Sequence, residues 1–376
     1  MRIVIAAEIF PPDIGGPATY SADIANALSE RGWDVKLICY SNRRYRDTYN
    51  FPVIRITRSE YKQWHYIKYF FRLFLMSLFA DIIYAQGPVS SGKPATIIGR
   101  ILGKKVVVKV VGDYAWEQAR NSGYTEAGID EFQKMKVEGR IAALRETQQE
   151  TVKEASFVIV PSVYLKNIVF GWGASQSKIR VIYNSVTLPQ ISHKLERDKN
   201  VIVSIGRLVP WKGFDTLIKI MPSLLAENKY FRLEIIGSGP IKSRLESFIT
   251  ELHLEKSISI SSLPREEALN RLSKAGVFIL NSGYEGLSHT ILEALSLRVP
   301  VIASNIGGNS EIIKNGENGI LVSYNDEERI KEAILRLYKD DSLVEKFSRE
   351  AEKVLNIFSR ERMVSETVNL LKLLSP

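Results

Sequence analysis

The strongest constraint on this chain is an alternation that runs through it twice. Short runs of β-branched residues at 3–7, 35–39, 82–85, 106–111 and 157–160 are separated by stretches such as 19–31 and 93–102, whose apolar residues follow a helical period. Runs so short and so uniformly apolar read as strands buried on both faces, and intervening helices make neighbouring strands parallel. The pattern pauses over 187–200, where Pro189 leads into the polar run Glu196-Arg197-Asp198-Lys199-Asn200. It then resumes, with strands predicted at 201–205, 232–236, 258–260, 277–280 and 299–303. The predicted class is α/β, with two Rossmann-like domains facing a central cleft, each an open, doubly wound sheet. The boundaries read as 1–190 for the first domain, 191–200 for a linker and 201–355 for the second domain. Residues 356–376 read as a helical tail packing back across the domains.

Composition narrows the chemistry. Cys39 is the single cysteine, and the four histidines, His65, His193, His253 and His289, are far apart in sequence. Neither a disulfide nor a cysteine- or histidine-based metal centre is expected, and a reducing, cytoplasmic setting is. No cofactor is expected. The apolar run at 3–7 ends at Glu8 and Pro11-Pro12, too early for a secretory signal. The stretch 66–80 carries Lys68 and Arg72, so its longest uncharged piece is far short of the roughly 20 residues of a spanning helix. A formal net charge of +9 favours anionic partners without choosing among nucleotides, lipid head groups and nucleic acid.

Three segments at predicted strand ends carry the candidate chemistry. The first is Tyr284-Glu285-Gly286-Leu287-Ser288-His289-Thr290-Ile291-Leu292-Glu293, which follows the strand 277–280 and opens a helix near Ser288. Unpaired amides at such a helix start suit phosphate or sugar oxygens, and Glu285 and Glu293 could accept from two ends of an elongated ligand. The plain alternative makes them a turn residue and a solvated helix residue. The second segment, Gly206-Arg207-Leu208-Val209-Pro210-Trp211-Lys212-Gly213, puts a guanidinium and an ammonium on the loop after strand 201–205. A fixed fork and a mobile point charge together suit a diphosphate. The third, Pro11-Pro12-Asp13-Ile14-Gly15-Gly16-Pro17, brings paired glycines to the first strand–helix turn, where backbone amides can approach a ligand. Gly237-Ser238-Gly239 and Gly307-Gly308 occupy corresponding strand ends. With no complete Gly-x-Gly-x-x-Gly, these glycines point to a phosphate-rich ligand but away from a standard NAD site.

Taken in order, these motifs resemble the GT-B glycosyltransferases of family 4, a retaining group, and the resemblance covers nearly the whole chain. It rests on the glycine loop and first helix from Pro12 to Val35, on Val160-Pro161-Ser162 and on Val181-Ile182-Tyr183-Asn184. Gly206-Arg207 with Lys212-Gly213, the glutamates Glu285 and Glu293, and Gly307-Gly308 with Glu311 complete it. The resemblance implies a nucleotide-diphosphate-sugar donor, with Arg207 and Lys212 neutralising the diphosphate. Glu293 would then accept from ribose hydroxyls and Glu285 from sugar hydroxyls. Amides of Gly286, Leu287, Ser288 and His289 would hold sugar and phosphate, and Gly15 and Gly16 would approach from the first domain. It implies retention of anomeric configuration and no metal. Where many members carry a histidine at the end of the strand 106–111, this chain has Val111, followed by Gly112 and Asp113. Asp113 is the nearest polar candidate for an acid, base or sugar contact, and equally reads as a helix N-cap. The usual Asn-Gly-Val-Asp is altered to Asn184-Ser185-Val186-Thr187.

The expected acceptor is a saccharide or lipid-linked saccharide, met through first-domain loops, with acceptor choice placed in 115–150. The run 61–74 mixes aromatic residues with Lys62, Lys68 and Arg72. It reads either as a helix on the sheet or as a contact with an anionic membrane surface, which would make the protein peripheral on the cytoplasmic face. Rival readings are a same-fold nucleotide-sugar epimerase and a non-catalytic nucleotide-sugar binding module. Charge alone suggests a nucleic-acid binder, but no such motif is present.

Overall fold

The computed structural model describes residues 1–13, 15–42, 45–58, 62–186 and 196–374. The chain divides into two compact units, Met1–Asn184 with Glu361–Pro376, and Ser185–Arg360. Among the described residues the first unit is built on seven strands: β1 (Arg2–Ala7), β2 (Asp34–Ser41), β3 (Val53–Thr57), β4 (Ile82–Gln86), β5 (Lys105–Lys109), β6 (Phe157–Val160) and β7 (Ile179–Val181). They pair in parallel in the order β3-β2-β1-β4-β5-β6-β7. The connections carry α1 (Gly16–Glu30), α2 (Lys62–Ser77), α3 (Gly92–Leu102), α4 (Tyr114–Asn121), α5 (Ile129–Lys134), α6 (Gly139–Glu154) and α7 (Val163–Gly171).

The second unit repeats the plan. Its strands are β8 (Asp198–Ile205), β9 (Arg232–Ile236), β10 (Ile258–Ser261), β11 (Ala275–Leu280), β12 (Val301–Ser304) and β13 (Ile320–Val322). They are parallel, in the order β10-β9-β8-β11-β12-β13. Its helices are α8 (Phe214–Glu227), α9 (Lys242–Glu251), α10 (Arg265–Ser273), α11 (His289–Ser296), α12 (Asn309–Ile312), α13 (Glu327–Lys339) and α14 (Asp341–Leu355). In each unit the winding reverses once, between β1 and β4 in the first and between β8 and β11 in the second. Loops leaving those strands diverge to opposite faces of the sheet, and the crevice they leave is where such sheets take ligands.

The last helix, α15 (Arg360–Lys372), returns to the first unit. Met363, Val364, Val368, Leu370 and Leu371 join a core with Ile3, Ile5, Ile24, Leu28 and Leu37. Each such side chain is worth about 2 kcal/mol when fully buried.

The differences from the sequence reading have local causes. β3, β7 and β13 were not expected; all are edge strands, and β7 and β13 are three residues long, too short for a pattern. The strand expected at 106–111 ends at Lys109, although the Val110 amide still reaches the Ile159 carbonyl at 2.8 Å. The strand expected from 299 starts after Pro300, which has no amide to donate. Half of the expected 191–200 linker lies outside the described residues, as does Pro189, and its last three residues are already strand β8.

One core residue breaks the apolar rule. Lys109, at the end of β5, is 2% exposed, and its Nζ lies 3.6 Å from the centre of the Tyr20 ring. It has no hydrogen-bond partner among the described residues. Tyr20 in turn shares a 2.7 Å hydroxyl bond with Tyr84. Burial without a carboxylate pushes the Lys109 ammonium well below the ordinary lysine range. The unfolded chain therefore binds a proton that the native chain does not, so stability rises with pH towards the unfolded value of about 10.4. The expected slope from this group is about 1.4 kcal/mol per pH unit in that window. Denaturant titrations between neutral and mildly alkaline pH should find that slope in the native chain and lose it in Lys109→Met. Equal slopes in both proteins would contradict the assignment.

Candidate functional site

The second unit's reversal point collects most of the predicted residues. The loop after β8 leaves with Gly206, exposes Arg207 and buries Leu208 beneath it. A 3₁₀ turn, Pro210–Lys212, follows, then Gly213 with φ 59°, then α8. A Cβ at Gly213 would lie 2.3 Å from the Asn281 carbonyl, so only glycine allows the two loops to meet here. The Arg207 guanidinium lies 6.0 Å from the centre of the Trp211 ring.

The loop after β11 is fastened to the first by buried amides. Asn281 donates to the Gly213 carbonyl at 3.0 Å and to Asn325 Oδ1 at 2.9 Å, and accepts from the Asn325 amide at 3.0 Å. The Gly283 amide donates to the Trp211 carbonyl at 2.6 Å. Between the fastened loops the Lys212 ammonium donates to the Glu285 carboxylate, with the two side chains only 14% and 13% exposed. Ser288 caps α11, its Oγ accepting from the Ile291 amide at 3.3 Å. No acidic residue occupies the helix's first turn, so its leading amides keep their positive end.

The glycines after β9 and β12 do a different job from the one expected. A Cβ at Gly237 would lie 1.9 Å from the Gly206 carbonyl, and one at Gly239 would lie 2.3 Å from that of Leu208. Gly307, with φ 59°, would put a Cβ 2.0 Å from the Glu285 carbonyl, and the Gly308 amide donates to that carbonyl at 3.0 Å. These glycines hold the loops of Arg207 and Glu285 by backbone contact. Their ligand, in this structure, is the neighbouring loop.

Glu293 sits on α11 with 8% exposure, and Arg265 at the start of α10 reaches it. Arg265 Nε and Nη2 both donate to Glu293 Oε1, at 3.1 and 2.7 Å. Burial raises the Glu293 carboxyl above its usual range, and Arg265 pulls it back. Arg265 was missed by the sequence reading, because a partner 28 residues away leaves no periodic signal.

The first unit contributes two sites of its own. Gly15, with φ 154° and ψ 153°, precedes α1, and no side chain caps the helix that begins at Gly16. Ile14, beside them, lies outside the described residues. At the reversal between β1 and β4 stands Glu8, also unread in the sequence, accepting from the Ser90 amide at 3.2 Å. A Cβ at Gly87 would lie 2.7 Å from its Oε1. Burial raises the Glu8 carboxyl, partly offset by the Ser90 hydrogen bond and by Arg58.

Asp113 requires a correction. It has no exposed surface, and it accepts from the Trp116 amide at 3.0 Å and from the side-chain amides of Gln133 and Gln148, each at 2.8 Å. Of its two readings the N-cap of α4 is the one realised; both oxygens are buried and hydrogen-bonded within the scaffold. A cavity of about 630 Å³ also falls outside the predicted site. It lies where β8 and β11 begin, lined by Arg197, Lys199, Gly276, Arg298 and Asp341, with Lys199 and Asp341 paired at 2.7 Å.

Two parallel sheets of doubly wound order, with cations, carboxylates and a helix start at one reversal point, define an α/β protein with a candidate anion site at its strand ends. The comparisons say which. The profile described as "Glycosyltransferase Family 4" matches residues 14–189, and that described as "Glycosyl transferases group 1" matches 189–354. The chain belongs to these glycosyltransferases. An uncharacterised glycosyltransferase of Methanocaldococcus jannaschii is 30% identical over 237 residues, 58% of this chain and 60% of that one. The capsular polysaccharide biosynthesis glycosyltransferase CapM of Staphylococcus aureus is 30% identical over 208 residues, 52% of each chain. The chain thus spans about half the length of the curated relatives it matches. In fold it is similar to HepE of Anabaena, solved in complex with UDP, with a TM-score of 0.75, 18% identity and 99% and 100% of the two chains covered.

Arg265→Ala should leave the buried Glu293 carboxylate without its cation. Because burial alone then acts on it, the loss in stability is expected at about 1–3 kcal/mol near neutral pH, discounted for the exposed arginine. The loss should shrink towards pH of about 3, where the carboxyl is protonated in both folded and unfolded chains. Urea unfolding at the two pH values checks this; a pH-independent loss would mean that Arg265 acts by packing alone.

Proposed function

We propose that the protein transfers a hexose-type sugar from a nucleotide-diphosphate sugar to a saccharide or lipid-linked acceptor, with retention of anomeric configuration and without a metal ion. The observation that carries the reading is the Lys212–Glu285 pair, held between two fastened loops beside Arg207 and the start of α11. An ammonium and a carboxylate so little exposed neutralise each other while no ligand is bound. In the working state the donor's diphosphate replaces Glu285 as the partner of Lys212, and Glu285 is released to the sugar hydroxyls. Arg207 joins Lys212 on the phosphates, and the two cations stabilise the charge that grows on the diphosphate as the glycosidic bond breaks. Glu293, with Oε1 occupied by Arg265, offers its second oxygen to the ribose diol. Amides of Gly286, Leu287, Ser288 and His289 hold the sugar and the phosphate oxygens.

The UDP complex of HepE supports a nucleotide diphosphate, and CapM's part in capsular polysaccharide synthesis supports a place in cell-surface polysaccharide or glycolipid assembly. We place the work at the cytoplasmic face of a membrane, with an anionic membrane surface as a further partner. Among the described residues no helix is long and apolar enough to cross a membrane.

Thermal unfolding against UDP-, GDP- and ADP-sugars without added metal tests the donor. One nucleotide series should stabilise the chain, by about 2.7 kcal/mol at a hundredfold excess over its dissociation constant. Lys212→Ala and Glu293→Ala should each weaken that donor by about tenfold or more, as loss of a charge-assisted contact does. Native affinity and turnover in both variants would overturn the site; no stabilisation by any series would overturn the donor class.

A further inference from the structure

Helix α2 is apolar on two opposite faces. Inward, His65, Tyr69, Leu73 and Met76 are buried against the sheet, with Tyr69 stacked on Tyr40 of β2 at 4.3 Å between ring centres. Outward, Trp64, Ile67, Phe71 and Leu75, continued by Leu78 just past the helix, are 59%, 45%, 61%, 54% and 40% exposed. At 3.6 residues per turn these five fall on one stripe about 80° wide, opposite the buried side chains. Phe79, 66% exposed, extends the apolar surface past the helix end, and Ile101 of neighbouring α3 is 61% exposed. Soluble helices usually turn such a face inward; a contiguous patch left outside marks a docking surface.

The charges say what docks. Lys68 and Arg72 are exposed and follow the stripe along one flank, and α2 contains no acidic residue. Nor does α3, whose end is followed by Lys104 and Lys105. Glu150 and Glu154 of α6 are engaged by Lys93 and Arg100 of α3, at 2.8 and 3.3 Å, and Asp81, four residues past α2, is engaged by Arg2 at 2.7 Å. An indole at one end, phenyl rings along the stripe and long cations beside it match the layered chemistry of a bilayer interface. There the rings enter the acyl boundary while lysine and arginine stems reach up to phosphate.

We propose that the outward face of α2 seats this protein on a lipid surface bearing anionic head groups, the helix lying in the plane of the interface. This deepens the proposed membrane partner and rests on that placement; it stands on residues apart from the donor site, so donor binding and lipid binding can fail separately. A bound chain would meet a lipid-linked acceptor by diffusion in two dimensions.

Co-sedimentation of the full chain with phosphatidylcholine vesicles, and with vesicles half of phosphatidylglycerol, tests it at low ionic strength. The native chain should pellet with the anionic vesicles. Phe71→Ser with Leu75→Ser should lower that partition by about tenfold or more, since each removes an inserting side chain. Lys68→Glu with Arg72→Glu should abolish the preference for anionic over neutral lipid. Both variants alter exposed positions only, so native circular dichroism and native donor-induced stabilisation are expected and are measured alongside. A native chain that stays in the supernatant with both vesicle types would overturn the proposal. So would apolar variants that pellet like the native chain. Self-association lost in Phe71→Ser with Leu75→Ser, without vesicle binding by the native chain, would assign the face to a second copy instead.

Discussion

Everything at the candidate site depends on how the loops after β8 and β11 are closed upon one another. These loops leave the sheet at its reversal point and would part without a fastening. The fastening is made of neutral groups: Asn281 spans Gly213 and Asn325, and the Gly283 amide meets the Trp211 carbonyl. Only inside that frame can Lys212 and Glu285 face each other with so little exposure. Bringing two charges so far out of water costs more than an exposed pair would return, and is tolerated because each is the other's partner. A ligand offering a better anion to Lys212 would find the cation desolvated and aimed. Preorganisation of this kind is what an electrostatic site needs, since little has to move when charge develops.

The second layer of support is backbone against backbone. Gly237, Gly239, Gly307 and Gly308 let adjacent loops approach to distances that no side chain permits. Their role explains how the loops that present Arg207 and Glu285 are held by backbone contact alone. Arg265 and Glu293 add a charged pair beside it, on the two helices α10 and α11, so the site is framed by both neutral and ionic contacts.

Much of this was legible in the sequence because doubly wound sheets put ligands at strand ends. Once the strands were found, Arg207, Lys212, Glu285 and Ser288 had to lie near one mouth, and they do. What was illegible depends on pairing across distance. Arg265 on Glu293, Glu8 against the Ser90 amide and Lys109 under Tyr20 are contacts between segments that no local pattern connects. Asp113 shows the opposite hazard: an acidic residue at a strand end invites a chemical role, while Gln133 and Gln148 from later helices make it a buried cap. The sequence reads 356–376 as a helical tail packing back across the domains, without saying which core α15 joins. Its five buried apolar residues complete a core begun some 360 positions earlier, and only the fold brings them together.

The most direct test of the central claim is hydrogen exchange of the full chain with and without each nucleoside diphosphate. The account predicts that the diphosphate that binds slows exchange at 206–213 and 283–291, the two loops that present Lys212 and Glu285, while 341–349 beside the other cavity is unchanged. Protection at that cavity instead, or a bound nucleotide that leaves both loops exchanging as before, would contradict it.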